Sequence, residues 1–223
     1  MKNIFKKIQN WLKKIIYTFF ICSILFVILF RFVQIPFTPL MGIRYIEQIT
    51  NGEKIHFKRK WITLNKIKNL PLAVLASEDA TFMNHWGFDF DAMQKAFKDN
   101  KKGKRIKGGS TISQQTAKNV FLCQSRSYCR KIIEAYFTVL IELFWSKERI
   151  LEVYLNVIEM GDGIYGAEAA AQKYFKKSAS KLTREEASAI AAILPNPRKW
   201  NPVQKTAYIQ KRCGIIDRNM KLM

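Results

Sequence analysis

From Ile15 to Phe30 the chain is uncharged and almost wholly apolar, and Arg31 closes the run. A helix of that length, at about 1.5 Å per residue, falls slightly short of a hydrocarbon core of about 30 Å. Leu12, Phe32 and Val33 extend it, and Lys14 and Arg31 are long enough to snorkel. The pattern predicts a transmembrane anchor over residues 15–33 behind a basic tail, 1–14, that carries Lys2, Lys6, Lys7, Lys13 and Lys14 and no acid. A cleavable signal peptide is the rival, but it needs small residues after the apolar core, and the first alanine of the chain is Ala73. The expectation is an uncleaved anchor, its lysine-rich end in the cytoplasm and the remaining chain outside.

Beyond the anchor the pattern weakens and then turns helical. Residues 34–66 read as a juxtamembrane segment, with Pro36 and Pro39 giving an extended exit and short extended stretches at Tyr45–Thr50 and Ile55–Leu64. Arg44, Phe57, Lys58, Arg59, Lys60 and Trp61 suit a surface resting on anionic headgroups, or equally a plain solvated face. The domain 67–223 is predicted mainly α. An apolar run from Leu70 to Ala76 reads as a short buried helix, and Ala92–Lys98 as a helix capped by Asp91 with Gln94 completing a capping box. Thr111 and Gln114 have capping-box spacing at the start of the next helix. Tyr128–Trp145 is apolar over much of its girth, which predicts a central helix. Lys147–Asn156 turns Ile150, Leu151, Tyr154 and Leu155 inward, Gly161–Gly166 is a turn, Ala167–Phe175 is alanine-rich, and Glu185–Leu194 is the last clear helix before Pro195 and Pro197.

Charge narrows the class. Lys and Arg number 38 against 17 Asp and Glu, a net +21, while apolar content is an ordinary 48%. Such a surplus points to an anionic partner, and an anchor that exports the domain excludes nucleic acid. Cys22 lies in the anchor; Cys123, Cys129 and Cys213, with His56 and His85, lack metal-ligand spacing, so no protein metal site is expected. A Cys123–Cys129 disulfide and two free thiols both remain open. Nothing calls for an organic cofactor.

Candidate chemistry starts at Ser77-Glu78-Asp79-Ala80-Thr81-Phe82-Met83-Asn84-His85-Trp86-Gly87. Two adjacent carboxylates end an apolar helix beside a glycine turn. One of them can stand at the lip of a cleft, where partial desolvation brings a carboxyl into the working range of a general base or acid. Both cannot, because consecutive helical residues do not share a face. A solvated helix end without chemistry is the alternative. Thr111, Gln115 and Lys118 share one side of their helix at intervals of four and three, a polar face suited to an oxygen-rich ligand. Arg130, Lys131 and Glu134 form a compact cluster that an ordinary helical ion pair would also explain. The lysine- and glycine-rich stretch 98–109 reads as a basic loop. Asp89-Phe90-Asp91 matches a sugar-transferase Asp-x-Asp motif, but no strand–helix alternation surrounds it.

Taken in order, these segments resemble the peptidoglycan glycosyltransferase family, which includes the glycosyltransferase module of class A penicillin-binding proteins and the monofunctional biosynthetic transglycosylases. The matching segments are Glu78-Asp79-x-x-Phe82-x-x-His85-x-Gly87, Gly109-Ser110-Thr111-Ile112-Ser113-Gln114-Gln115-x-x-Lys118-Asn119, Arg130-Lys131-x-x-Glu134, Ile150-Leu151-Glu152-x-Tyr154-Leu155-Asn156, and Gly163-Ile164-Tyr165-Gly166 through Ala169-Ala170 to Tyr174-Phe175. They span roughly residues 67–203, and Ser113 stands where the family usually has threonine. The resemblance implies a lysozyme-like helical fold that polymerises lipid II into glycan strands. It implies that Glu78 is the base on the acceptor 4-hydroxyl and that Glu134 is a second catalytic glutamate near the departing lipid diphosphate. It further implies that Lys118, Arg130 and Lys131 hold the diphosphate, that Thr111 and Gln115 serve the donor site, and that residues 98–109 are a mobile region. Magnesium often assists the diphosphate in this family. The implied partners are lipid II, the growing strand, the bilayer and other cell-wall synthesis proteins.

Ser178-Ala-Ser-Lys181 spells the Ser-x-x-Lys of a penicillin-binding site, but no Lys-Thr-Gly follows, since Ala207 succeeds Lys205-Thr206. A monofunctional enzyme is therefore expected. The rivals are a muramidase or lytic transglycosylase, which needs an acid at the scissile oxygen but no cation cluster for a leaving diphosphate, and a non-enzymatic anchored scaffold.

Overall fold

The computed structural model describes residues 2–101, 109–125 and 127–223. The chain divides into two units, Met1–Gln34 and Ile35–Met223. The first is one helix, α1 (Lys2–Phe32), long and apolar enough over Ile4–Phe32 to cross a membrane. The basic tail is thus helical too, continuous with the anchor.

The second unit is mainly α: α2 (Pro39–Thr50), α3 (Leu70–Glu78), α4 (Phe90–Lys101), α5 (Ile112–Phe121), α6 (Tyr128–Phe144), α7 (Lys147–Val157), α8 (Ala167–Phe175), α9 (Arg184–Ile193) and α10 (Ala207–Leu222). Three short strands accompany them: β1 (Lys58–Arg59), β2 (Glu159–Gly161) and β3 (Ile164–Tyr165), in the order β1-β3-β2. β1 pairs parallel to β3, Lys58 opposite Ile164, and β2 pairs antiparallel to it. The predicted turn at Gly161–Gly166 is therefore a hairpin. Gly163, at φ +64, lies against β1: a Cβ there would stand 1.9 Å from the His56 carbonyl oxygen.

The juxtamembrane segment belongs to this same compact unit. Tyr45–Thr50 is not extended but helical, because Thr38 caps α2 by accepting from Met41 N and Pro39 pre-sets the first turn. Asn156 of α7 gives its side chain to the Ile62 backbone, accepting from Ile62 N and donating to Ile62 O, each at 2.8 Å. Arg44 and Arg59 do not form a headgroup surface. Arg44 pairs with Glu47 and Glu159, and the Arg59 guanidinium donates to the carbonyls of Ile35 and Pro36.

Two packing centres organise the unit. α9, buried from Ala187 through Ile193, lies against α3 and α10; α5 lies against α6 and α7. Leu70, Val74, Ile112, Ile150, Leu155 and Ile190 lose all solvent contact, each worth about 1.5–3 kcal/mol of transfer free energy. α6 is not central. Phe137, Leu140 and Ile141 face inward, while Ile132 is 70% and Leu143 63% exposed. Phe90, Phe97 and Trp86 are likewise uncovered.

Other expectations change on local chemistry. Asp89, not Asp91, accepts from Ala92 N at the start of α4, and α4 continues through Lys101; the rest of the basic stretch, 102–108, lies outside the described residues. α10 follows the helix read as last, capped by Thr206. Ser178 caps a single 3-10 turn and donates to buried Glu168, so it has no nucleophile's setting. Cys123, Cys129 and Cys213 are free thiols, the first two exposed.

Candidate active site

α3 ends at its two carboxylates, and they diverge. Asp79 turns inward, its side chain 2% exposed. Its Oδ1 lies 2.9 Å from His85 Nε2, and its Oδ2 accepts from Ile112 N at 2.9 Å. Asp79 thereby ties the turn after α3 to the first turn of α5. That turn closes at Gly87, whose φ of +78 and closeness to Thr138 (2.7 Å from a notional Cβ) leave no room for a side chain.

Glu78 faces the other way, into a cleft of about 260 Å3 lined by Ser77, Glu78, Thr81, Ala92, Ser110 and Thr111 among others. Ser77 Oγ donates to its Oε1 at 3.1 Å, and Gln115 Nε2 donates to its Oε2 at 3.3 Å. Arg212 of α10 brings a guanidinium nitrogen within 3.8 Å of Oε1 and donates to Ser77 Oγ at 3.1 Å. Asn219, two turns further along α10, donates to the Ala76 carbonyl at 3.2 Å. The carboxylate is thus held by donors on both oxygens.

The polar face expected on α5 is present, with one exception. Thr111 is buried and its hydroxyl is occupied twice: it donates to Gly87 O at 2.6 Å and accepts from Gln114 N as half of a true capping box. Its role is to fix the helix start. Gln115 and Lys118 stand one turn apart on the face toward the site, about 4.5 Å along the axis. Gln115 reaches Glu78, and Lys118 reaches the charged cluster of α6.

In that cluster Glu134 is 2% exposed and engages both neighbours, Arg130 through Oε2 and Lys131 through Oε1. Lys131 Nζ also lies 3.4 Å from Ser110 Oγ on the cleft wall. The half-buried Lys118 ammonium has no hydrogen-bond partner among the described residues. Desolvation pulls its pKa down; Glu134 opposes that, and Arg130 and Lys131 add to it. Three cations therefore converge on one carboxylate, a local positive excess in a partly dry site. That arrangement is poor for stability and suited to a polyanionic ligand.

No three His, Cys, Asp or Glu side chains converge among the described residues. Glu134, the acid among the cations, already has both oxygens engaged. The residues present do not fit a resident magnesium ion.

Comparison with known proteins decides the family. The family model described as Transglycosylase matches residues 45–221. The chain belongs to the transglycosylase family. It is similar to proteins named biosynthetic peptidoglycan transglycosylase in several bacteria. With that of Bacteroides thetaiotaomicron it shares 52% identity over 98% of this chain and 88% of the relative. With that of Bdellovibrio bacteriovorus it shares 51% over 95% and 85%, and with that of Caulobacter vibrioides 55% over 85% and 81%. In this transglycosylase the matched region begins well upstream of residue 67, in keeping with a compact unit that starts at Ile35.

Sequence reasoning about this transglycosylase missed Ser77, Ser110, Tyr154 as a polar group, and Arg212. A signal for Arg212's helix was there: the Thr206 cap, then Ile209, Ile216 and Met220 at intervals of seven and four, all now buried. Nothing local pointed α10 at Glu78.

Proposed function

We propose that this transglycosylase is a peptidoglycan glycosyltransferase of cell-wall synthesis, polymerising lipid II, in which Glu78 and the α5–α6 cations divide the chemistry. Glu78 takes the proton of the acceptor 4-hydroxyl as that oxygen attacks the donor's anomeric carbon. The bond from that carbon to the diphosphate oxygen breaks with inversion, and the electron pair leaves with the lipid diphosphate. Lys118, Arg130 and Lys131 neutralise the charge that grows there. Glu134, with both oxygens on cations, orients that set rather than acting as a second acid or base. Gln115 serves Glu78 directly, and Thr111 acts by holding the start of α5. Any magnesium would arrive with the diphosphate.

The observation that carries this reading is three cations around one buried carboxylate, with Lys118 of that set one turn of α5 from Gln115, which donates to a second carboxylate, Glu78. A lytic enzyme acting on uncharged glycan has no use for such a cluster. The uncovered aromatic and aliphatic side chains of α4 and α6 suit contact with the bilayer in which a lipid-linked donor resides. The lysine-rich start of α1 supports a cytoplasmic N-terminus and an extracytoplasmic domain. A C-terminal alkaline phosphatase fusion that stayed inactive would overturn that orientation.

The test is polymer formation from labelled lipid II by the full chain and by Glu78→Gln. Glu78→Gln keeps size and loses the proton acceptor, so turnover should fall on the order of 10²–10⁴-fold with donor binding retained. Polymer at the wild-type rate refutes the assignment of the base. Soluble muropeptides released from preformed glycan would favour the lytic reading.

A further inference from the structure

Tyr154 of α7 has no exposed surface. Its hydroxyl donates to Gln115 Oε1 at 3.2 Å, and Gln115 Nε2 donates to Glu78 Oε2 at 3.3 Å. The Glu78 end forces the direction of this chain. An ionised carboxylate only accepts, so the amide must turn its NH₂ toward Glu78, and its oxygen then faces Tyr154. Tyr154 must in turn donate, which it does only while protonated. Burial, with the negative charges of Glu78 and Asp79 behind it, raises the phenol's pKa well above the ordinary tyrosine range.

Packing explains a buried ring at position 154, but a phenylalanine would pack as well. The hydroxyl's partner is the amide that holds the reacting carboxylate. With the hydroxyl gone, the Gln115 oxygen loses its buried donor, and an amide that turns to find another presents its carbonyl to Glu78.

We infer that Tyr154 is a positioning residue for glycosyl transfer, fixing through Gln115 the aim and the ionised form of Glu78. The inference rests on the reading of Glu78 as the base. Being wholly buried, Tyr154 reaches the reaction through Gln115 and not by touching substrate. The other groups about Glu78 are accounted for: Arg212 comes from α10, Asp79 is turned toward His85, and α9 brings only the uncharged Ala191 carbonyl, 3.4 Å from Ser77 Oγ and the longer alternative to Glu78 for its one proton.

The experiment measures polymerisation of labelled lipid II by full-length wild type, Tyr154→Phe and Glu78→Gln over a range of pH, with the Tm of each. Tyr154→Phe should lower kcat about tenfold to a hundredfold, as small misplacements of a reacting group do, with KM for lipid II little changed. The acid limb of kcat should move to higher pH, because the charged form of the base has lost a donor. A merely structural hydroxyl would lower Tm and leave both kcat and the limb in place. That result, with Glu78→Gln inactive, overturns the inference alone. An active Glu78→Gln overturns the base assignment and the inference with it. Should Tyr154→Phe fail to fold, Gln115→Met breaks the same chain at its middle. The same limb shift is expected of it, and an unshifted limb refutes the inference.

Discussion

Lys118→Met should make the protein more stable and the enzyme nearly inactive. The side chain is half-buried on α5, and desolvation lowers its pKa against the pull of Glu134. Arg130 and Lys131 already engage both oxygens of that carboxylate, so their repulsion of the third cation works with its desolvation against the attraction of Glu134. Methionine keeps the length and the apolar stem and removes the charge. Substitutions that relieve a functional site of such frustration commonly gain about 0.5–2 kcal/mol, and partial exposure places this one toward the lower end through solvent screening. For a domain of this size that is a rise of about 2–4 °C in Tm per kcal/mol. The sign with pH follows from linkage. A lysine whose folded pKa is lowered costs stability fully below that pKa, and the cost fades as pH rises through it toward the unfolded value near 10.5. The gain of Lys118→Met is therefore full below that lowered pKa and shrinks as pH rises through it. Turnover should fall about 10²–10³-fold, as when one donor to a developing oxyanion is removed, with weaker lipid II binding. Thermal unfolding in detergent at neutral and alkaline pH, beside polymer assays, measures both. A lower Tm at neutral pH would mean that Lys118 is a net structural partner of Glu134. Unimpaired turnover would mean that the cluster does not meet the diphosphate.

Two further outcomes follow from single contacts. Arg212→Met removes the guanidinium 3.8 Å from Glu78. A partly exposed pair of this kind is worth up to about 1 kcal/mol, so polymerisation should slow about fivefold, with Arg212→Lys in between; a wild-type rate would make α10 a packing element only. Gly163→Ala drives a Cβ into the His56 carbonyl at a φ of +64 and should cost more than about 2 kcal/mol, read as a loss of Tm or of folded protein. A stable Gly163→Ala would show that the β1–β3 pairing is dispensable.

What could be read along the chain was what its chemistry settles within a few residues. The anchor needed only an apolar run and its flanking lysines. The capping box of Thr111 and Gln114, the cluster of Arg130, Lys131 and Glu134, and the divergence of Glu78 from Asp79 all lie within about one helical turn, where backbone geometry alone determines which groups meet. The same local logic failed where alternatives were close in sequence. Asp89 takes the cap expected of Asp91, and a proline read as extended opens α2 because Thr38 stands before it.

Tertiary structure decided the rest. Tyr154 meets Gln115 across 39 positions and Arg212 meets Ser77 across 135, and no periodicity carries such pairings. β1 and β3 are two residues long, too short for alternation to show, and form only because the chain brings Lys58 beside Ile164. α6 looked central because apolar residues surround it, yet burial depends on which face meets another element, and Ile132 and Leu143 stay largely exposed. The candidate base and its cations were legible as residue types. The groups that hold Glu78 were not: Ser77 is its neighbour in the chain, but Gln115 and Arg212 come from α5 and α10, which only folding brings to it.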